Sequence, residues 1–317
     1  MEFPSNDIEM PPFLFSASHR NYWPGRGAVS VLLSRAPPKT FASLNPIENI
    51  AIGMIIVAGS GKSSFYVALG SSYAAGPGLG PRVPGSPFIS QRTIGSYPEL
   101  LARLLDVPTF RNVRSSGSTV RQVLQGGQFY LGPQVDALGA ATRLVTLTAG
   151  GNDVRYIGDM TSMAYRNRGG LIGAALDLFR KDIKSAEQRD FDRLASDLRA
   201  TLLEIKRRSA HARTVVVTYP QLLPPVGSCV DVGLTEDQVK LMRSVGERLA
   251  RVTREVATGE GATVVDMASL SSGHHACSKE PWINGFKPNK AGSFHPNEAG
   301  AKATALAVAN VVRGRVQ

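Results

Sequence analysis

The chain has 317 residues, which is enough for one large domain or two small ones. Hydrophobic residues make up 43% of it, so global disorder is excluded. Its net charge of +11 is compatible with nucleic acid, anionic lipid or acidic substrates. The sequence has no zinc-finger spacing, RNP-like motif or long Lys/Arg block. We therefore attribute the charge to a solvated basic surface and predict no nucleic-acid partner.

Residues 1–62 differ from the rest of the chain. They hold seven of the 20 prolines and no sustained hydrophobic period, which predicts a poorly ordered N-terminal extension. Within it, the apolar run 50–58 is too short to span a bilayer, and we predict no integral membrane segment. The run has the length of a signal-peptide core but lies far from the start. A leader and a strand both remain open for this run.

Ser60-Gly61-Lys62-Ser63 resembles the end of a phosphate-binding loop. The pattern requires a glycine where Ile56 stands, and a helix where a strand-like segment follows. Because both requirements fail, we predict no nucleotide site there.

From residue 65 onward, strand-like and helix-like segments alternate, and we assign residues 63–317 to one domain. The predicted strands are 65–70, 109–113, 143–148, 214–218 and 263–266. The predicted helices are 97–105, one starting at 118–124, one near 171–181, 191–205, 235–256 and 297–312, with 154–186 otherwise mixed. This alternation predicts parallel pairing in a three-layer α/β/α domain. Right-handed crossovers bring the loops that follow the strands to one edge of the sheet.

The segment 65–78, FYVALGSSYAAGPG, organises the rest of the chain. Its first half is an apolar strand, and its second half is small and glycine-rich, as in a tight strand-to-helix turn. A serine in such a turn lies at the carboxyl edge of the sheet, where open α/β sheets place their sites. We predict that Ser72 is a nucleophile, and its neighbour Ser71 is the other candidate for this role.

A serine nucleophile can carry out acyl transfer, and this reaction also needs hydrogen-bond donors for the oxyanion that develops. Gly117 and Asn152 follow the second and third predicted strands. Glycine lets a backbone N–H approach a ligand closely, and an asparagine after a strand can aim its amide at the same point. The predicted donors are therefore the Ser72 N–H, the Gly117 N–H and the Asn152 side chain.

Acyl transfer further needs a base, and the chain has five histidines. We predict His295, which precedes the last predicted helix, with His274 and His275 as competitors. A lone histidine in this position is otherwise expected to cap the helix.

Four blocks in this order resemble the SGNH (GDSL) hydrolase family. They are ALGSSYAAGPG at 68–78, NVRSSGST at 112–119, LTAGGNDV at 147–154 and SFHPNEAG at 293–300. The resemblance implies a flavodoxin-like α/β/α sandwich with a mostly parallel sheet. It implies hydrolysis of a small-molecule or lipid carboxylic ester through an acyl-enzyme, without a metal or organic cofactor. Position by position, it makes Ser72 the nucleophile, Gly117 and Asn152 the oxyanion partners, and His295 the base.

The chain departs from the family pattern in two places. Gly-Ser-Ser replaces Gly-Asp-Ser at 70–72, and Gly292 stands where an aspartate usually orients the histidine. The carbonyl of Ser293 or Trp282 could orient His295 instead, and Glu280 or Asp266 could do so by another route. We expect a weaker orienter to reduce activity without abolishing it. The alternative is a non-catalytic binding protein on the same fold, with a decayed dyad.

The two cysteines, Cys229 and Cys277, cannot form a CxxC pair or a zinc site made of cysteine alone. From the residues alone they form either one disulfide or two buried thiols. The segment HHACSKEPWING at 274–285 resembles secreted lipase-like members, in which such cysteines tend to be paired. A pair favours an oxidising, extracytoplasmic compartment, with the cytoplasm as the alternative.

Overall fold

The computed structural model of the chain describes residues 64–178 and 182–314. The predicted extension 1–62, its apolar run 50–58 and the Ser60–Ser63 segment lie outside these ranges, as do the last three residues of the helix predicted near 171–181.

A single sheet of parallel strands forms the centre of the described chain. The strands are β1 (Tyr66–Gly70), β2 (Phe110–Asn112), β3 (Leu144–Thr148), β4 (Arg213–Val217) and β5 (Thr263–Val265). Their order is β2-β1-β3-β4-β5, and every neighbouring pair is parallel. All residues of β1 and β3 are buried, as expected for central strands covered on both faces. The predicted α/β class with a parallel sheet is confirmed.

Helices cover both faces of this sheet. They are α1 (Ser72–Ala75), α2 (Tyr97–Leu104), α3 (Val120–Gln125), α4 (Tyr156–Arg168), α5 (Gly170–Leu178), α6 (Phe191–Arg208), α7 (Glu236–Gly259), α8 (Met267–Leu270) and α9 (Glu298–Val312). Alternate residues of β1 enter two separate cores. Val67 and Leu69 pack in the core with α3, α4, α6 and α7, and Tyr66 and Ala68 pack in the core with α2 and α9. None of the described helices is long and apolar enough to cross a membrane.

Helix α4 is an element that the sequence analysis missed, because 154–186 was expected to be mixed apart from a helix near 171–181. Its inward face buries Tyr156, Met160, Met163 and Ala164, which is a helical spacing. Buried Asp159 also faces inward and forms an ion pair at 2.8 Å with Arg189 of the segment before α6. This charged core position and the polar residues around it obscured the period.

The loop after β4 and the loop before α9 are joined by the Cys229–Cys277 disulfide, which closes a separation of 48 residues. The predicted pairing is confirmed. The bridge ties the segment that carries His274 and His275 to the loop that leads into α7.

Candidate active site

The turn that carries Ser72 follows β1 directly. Gly70 has φ +132, and a Cβ there would lie 2.3 Å from the carbonyl oxygen of Thr148, so only glycine fits. The Ser71 N–H donates to the same carbonyl at 2.9 Å, and Ser72 is then the first residue of α1. Gly76, at φ +76, ends the helix one turn later. The turn therefore holds Ser72 at the carboxyl edge of the sheet with 7% of its surface exposed.

The two adjacent serines have different surroundings. The Ser71 hydroxyl is fully buried and lies 3.0 Å from the Tyr219 hydroxyl and 3.4 Å from the Thr148 carbonyl oxygen. Within residues 64–178 and 182–314, no group forms a hydrogen bond with the Ser72 hydroxyl. Tyr219 also accepts the Gly151 N–H at 3.1 Å, so it links the loops after β1 and β3. The Ser71 hydroxyl therefore has hydrogen-bond partners inside the fold, whereas the Ser72 hydroxyl has none among the described residues.

The loops after β2 and β3 are fastened to each other. The Asn152 side-chain amide donates to the Ser118 carbonyl at 2.8 Å. Both carboxylate oxygens of Asp153 accept the Val120 N–H at 3.1 Å, where α3 begins. An amide NH₂ has two hydrogens, so Asn152 keeps one donor after this contact. Across the described chain, the Ser72 and Gly117 N–H groups donate to no residue, and Gly117 has φ +84.

Two buried glutamines support the turn after β1 and the loop after β2, and no sequence motif predicts them. Gln134 accepts the Gly70 N–H at 2.8 Å and donates to the Gly70 carbonyl at 3.0 Å. Gln128 donates to the Ser116 carbonyl at 2.6 Å and accepts the Ser118 hydroxyl at 2.5 Å. Both come from a Gly- and Pro-rich connection without hydrophobic period, so no signal in the sequence marks them.

His295 lies in the loop that leads into α9 and is 9% exposed. Its Nδ1 is 2.7 Å from the Ser293 carbonyl oxygen, and its buried Nε2 has no partner among the described residues. The neighbour of the serine, Tyr73, packs its ring 4.9 Å from the His295 ring and donates its hydroxyl to the Phe294 carbonyl. Tyr73 thereby connects the turn of Ser72 to the loop of His295.

Burial lowers the pKa of His295 to about 4, against the opposing effect of its hydrogen bond with the Ser293 carbonyl. The imidazole is therefore neutral near pH 7, which is the form that accepts a proton. Because Nδ1 faces a carbonyl, which only accepts, the ring hydrogen lies on Nδ1 and leaves the lone pair on Nε2.

The backbone conformation at position 292 favours a glycine. Gly292 has φ +93, and a Cβ there would lie 3.0 Å from the Pro77 carbonyl oxygen. An aspartate in this conformation would be strained. The loop geometry and the absence of the acid are therefore consistent with each other.

The other predicted orienters make contacts elsewhere. The Trp282 carbonyl accepts the Asn297 N–H at 2.9 Å, and the Glu280 carbonyl lies 2.8 Å from Nδ1 of His274. The Asp266 carboxylate binds Arg254 at 2.6 Å. In the part of the chain that the structure describes, neither carboxylate has a contact with His295.

The competing histidines belong to the disulfide segment. The His274 ring stacks on Trp282 at 4.1 Å, and His275 Nδ1 accepts the Cys277 N–H at 3.2 Å. The predicted capping role falls to Asn297, whose side chain accepts the Gly300 N–H at 3.0 Å. Neither contact of these histidines reaches the turn that carries Ser72.

The chain is similar to known proteins in sequence and in fold. The sequence model of the GDSL-like lipase/acylhydrolase family matches residues 68–303. "Lipase 2" of Streptomyces coelicolor is 31% identical over 255 residues, covering 75% of this chain and 82% of the relative. The lipase of Streptomyces rimosus is 30% identical over 249 residues, covering 78% of this chain and 87% of the relative.

Two solved structures resemble the chain closely in fold. Phospholipase A1 from Streptomyces albidoflavus NA297 is 27% identical with a TM-score of 0.63, covering 80% of this chain and 100% of that one. The extracellular lipase from Streptomyces rimosus is 26% identical with a TM-score of 0.62, covering 79% of this chain and 99% of that one.

Proposed function

The chain belongs to the GDSL-like lipase/acylhydrolase family and is a carboxylic ester hydrolase, and from this premise we propose that it acts through an acyl-enzyme on Ser72. His295 is the general base and acid. The Ser72 N–H, the Gly117 N–H and the Asn152 amide stabilise the oxyanion.

The proposed reaction has two halves. His295 Nε2 takes the Ser72 proton as Oγ attacks the ester carbonyl, and the three donors hold the resulting oxyanion. Collapse breaks the bond to the alcohol, which leaves with the proton from Nε2. Water then attacks the acyl-enzyme with the same base, and the acid product leaves as Ser72 regains its proton. Each step uses side chains, backbone N–H groups and water.

The surroundings of His295 carry the proposal: its Nδ1 is anchored on the Ser293 carbonyl, its buried Nε2 has no partner in the described chain, and burial lowers its pKa to about 4. A carbonyl orients the ring but carries no full charge to stabilise the imidazolium. We therefore expect the enzyme to work, more slowly than one with a carboxylate in that position. The non-catalytic alternative rested on Gly292, whose backbone conformation explains the glycine without a loss of function.

We further propose a lipid ester as the substrate and a location outside the cytoplasm. The relatives named above are lipases and a phospholipase A1, and one is described as extracellular. The Cys229–Cys277 disulfide supports an oxidising compartment.

The test compares Ser72→Ala with Ser71→Ala on a soluble p-nitrophenyl ester. Ser72→Ala should lower kcat by roughly 10³-fold or more at unchanged far-UV circular dichroism, because it removes the nucleophile. Ser71→Ala loses a buried hydrogen bond and should cost about 1 kcal/mol of stability while keeping most of the turnover. Full activity in Ser72→Ala would show that the assignment is wrong.

A further inference from the structure

The loop with Ser116 and Gly117 is held from two sides by segments that carry exposed aromatic residues. The Ser116 N–H donates to the Ser90 carbonyl at 3.1 Å, and its carbonyl accepts from Gln128 at 2.6 Å. Two positions before Ser90, Phe88 is 79% exposed; directly after Gln128, Phe129 and Tyr130 are 71% and 76% exposed. We name these three side chains, Phe88, Phe129 and Tyr130, the aromatic rim.

The turn that carries Phe129 and Tyr130 has a backbone conformation that is unusual for such bulky residues. It is closed by hydrogen bonds from the Leu131 N–H to the Gln128 carbonyl at 2.9 Å and from the Gly127 N–H to the Leu131 carbonyl at 3.1 Å. Phe129 has φ +53, a conformation that Gly and Asn adopt readily and a bulky residue does not. An exposed aromatic side chain in a strained turn does not stabilise the fold, because it buries little surface. Its presence therefore points to a role in contact with a partner.

The charge around the rim is positive. Residues 76–95 and 116–133 contain Arg82, Arg92 and Arg121 and no Asp or Glu. The Arg82 guanidinium lies over the Phe88 ring, 5.6 Å from its centroid. The next carboxylate along the chain, Asp136, is paired with Arg208 at 2.9 Å. Arg82 and Arg121 are exposed, so they are free to face an anionic surface.

We propose that the aromatic rim docks on the surface of aggregated anionic lipid. Aromatic side chains bury their rings at the boundary of headgroups and acyl chains, and flanking arginines are attracted to anionic headgroups. Because the segments that carry the rim are hydrogen-bonded to the loop of Gly117 through Ser90 and Gln128, docking brings the lipid ester beside the proposed oxyanion donors. The inference rests on the proposed function for its substrate class and identifies the surface that meets that substrate.

The binding test uses vesicles of ether-linked phosphatidylglycerol and phosphatidylcholine, which contain no ester to cleave. The variant is Phe88→Ser/Phe129→Asn/Tyr130→Ser, in which asparagine suits the positive φ at position 129. The control is Leu171→Gln, which removes another apolar side chain, 91% exposed on α5. Cosedimentation should show that the triple variant partitions roughly tenfold or more weakly, and that the control stays within about twofold of the parent.

A second arm measures hydrolysis of monomeric p-nitrophenyl butyrate and of ester-linked anionic vesicles. The triple variant should keep the soluble activity within about twofold and lose roughly tenfold on vesicles. If the parent cleaves neither substrate, the proposed function fails while the ether-lipid binding still decides the docking surface. If the triple variant binds ether-lipid vesicles as the parent does, the inference is overturned.

Three further outcomes also overturn the inference. Loss of binding in Leu171→Gln alone would move the lipid surface to α5. Equal binding to purely neutral vesicles would remove the anionic preference. A change of oligomeric state in the triple variant, seen by light scattering, would make a second copy of the chain the occupant of the rim.

Discussion

The two halves of the proposed site, the oxyanion side and the base side, are held in place by different kinds of hydrogen bond. On the oxyanion side, side chains hold the loops: Asn152 on the Ser118 carbonyl and Gln134 on both backbone groups of Gly70. On the base side, the hydrogen bonds of His295 itself are with main-chain atoms, as the Ser293 carbonyl faces His295 Nδ1 and the Asn284 N–H donates to the His295 carbonyl. The first half should respond to single side-chain substitutions at several positions, and the second should respond at the histidine and at Tyr73, whose hydroxyl donates to the Phe294 carbonyl.

The largest expected effect isolates the base. His295→Ala should lower kcat by roughly 10³-fold or more, because it removes the proposed base for the Ser72 proton. Ser293→Ala keeps the orienting carbonyl and should stay within about threefold of the parent, as should Glu280→Gln and Asp266→Asn. Steady-state kinetics on a soluble ester measure all four variants. A large loss in Glu280→Gln or Asp266→Asn would show that a carboxylate orients the ring.

The same half has a characteristic pH dependence. His295 acts as a base only when neutral, so kcat/KM should fall as the pH drops through its pKa, which burial lowers to about 4. The acid limb of the profile should therefore lie well below pH 6.5. An acid limb at or above 6.5 would mean that the imidazole is more solvated than its burial indicates.

The next effect belongs to the oxyanion side. Asn152→Ala should lower kcat by roughly 10²- to 10³-fold with a small change in KM, because the amide acts on charge that develops in the transition state. The matched control is Asn167→Ala, whose amide donates to the Gly233 carbonyl at 2.8 Å and to the Gln238 side chain at 2.6 Å, both outside the proposed oxyanion set. Equal kinetics in both variants would remove Asn152 from the oxyanion set.

A smaller effect concerns the disulfide near the base side. The double variant Cys229→Ser/Cys277→Ser should lower the free energy of unfolding by about 2–4 kcal/mol, since the bridge closes a long loop. The turnover number of the folded enzyme at 25 °C should remain within about twofold. Urea denaturation and kinetics on the same preparation separate the two quantities, and a large loss of turnover in folded protein would place the bridge in the catalytic geometry.

The smallest effect compares two buried groups of opposite sign. Burial raises the pKa of Asp153 from 3.8 to about 6, so folding binds a proton there and stability is lost as the pH rises through this range. His295 has a lowered pKa, so its contribution is present above 6.5 and is lost as the pH falls towards about 4. Each contribution is at most on the order of 3 kcal/mol. Between about pH 4 and 6 the two therefore offset each other.

Single variants should expose this cancellation. Asp153→Asn keeps an acceptor for the Val120 N–H and should lose stability more steeply on acidification than the parent. His295→Gln should lose it less steeply. Urea unfolding at pH 4.5, 5.5 and 6.5 measures the slopes, and parallel curves for the three proteins would contradict both assignments.

Most of the fold could be predicted because its elements have clear periods. The amphipathic helix α6 and the capping box at Thr235 and Gln238 were identified from spacing alone, and both are confirmed. Helix α4 was missed because its inner face carries a charged residue, Asp159, which pairs with Arg189 of the segment before α6. A pattern of hydrophobic residues cannot show a core position that is filled by charge.

The site could be predicted only where it consists of short motifs. The glycine turn and the loop of Asn152 have recognisable spacing, and their proposed roles remain predictions. Gln128 and Gln134 gave no signal, because a buried glutamine is defined by the backbone that it reaches and not by its neighbours in sequence. Four residues were proposed to orient His295, and the structure has Ser293 in contact with it. This contact depends on the geometry of the loop, and every residue has a main-chain carbonyl, so no sequence pattern marks it.

The central claim is that Ser72, and not Ser71, is an activated nucleophile. Fluorophosphonate labelling of the purified chain, followed by peptide mapping, tests it directly. We predict a single adduct on Ser72 that is lost in His295→Ala. An adduct on Ser71, or no adduct on folded protein, would contradict the account.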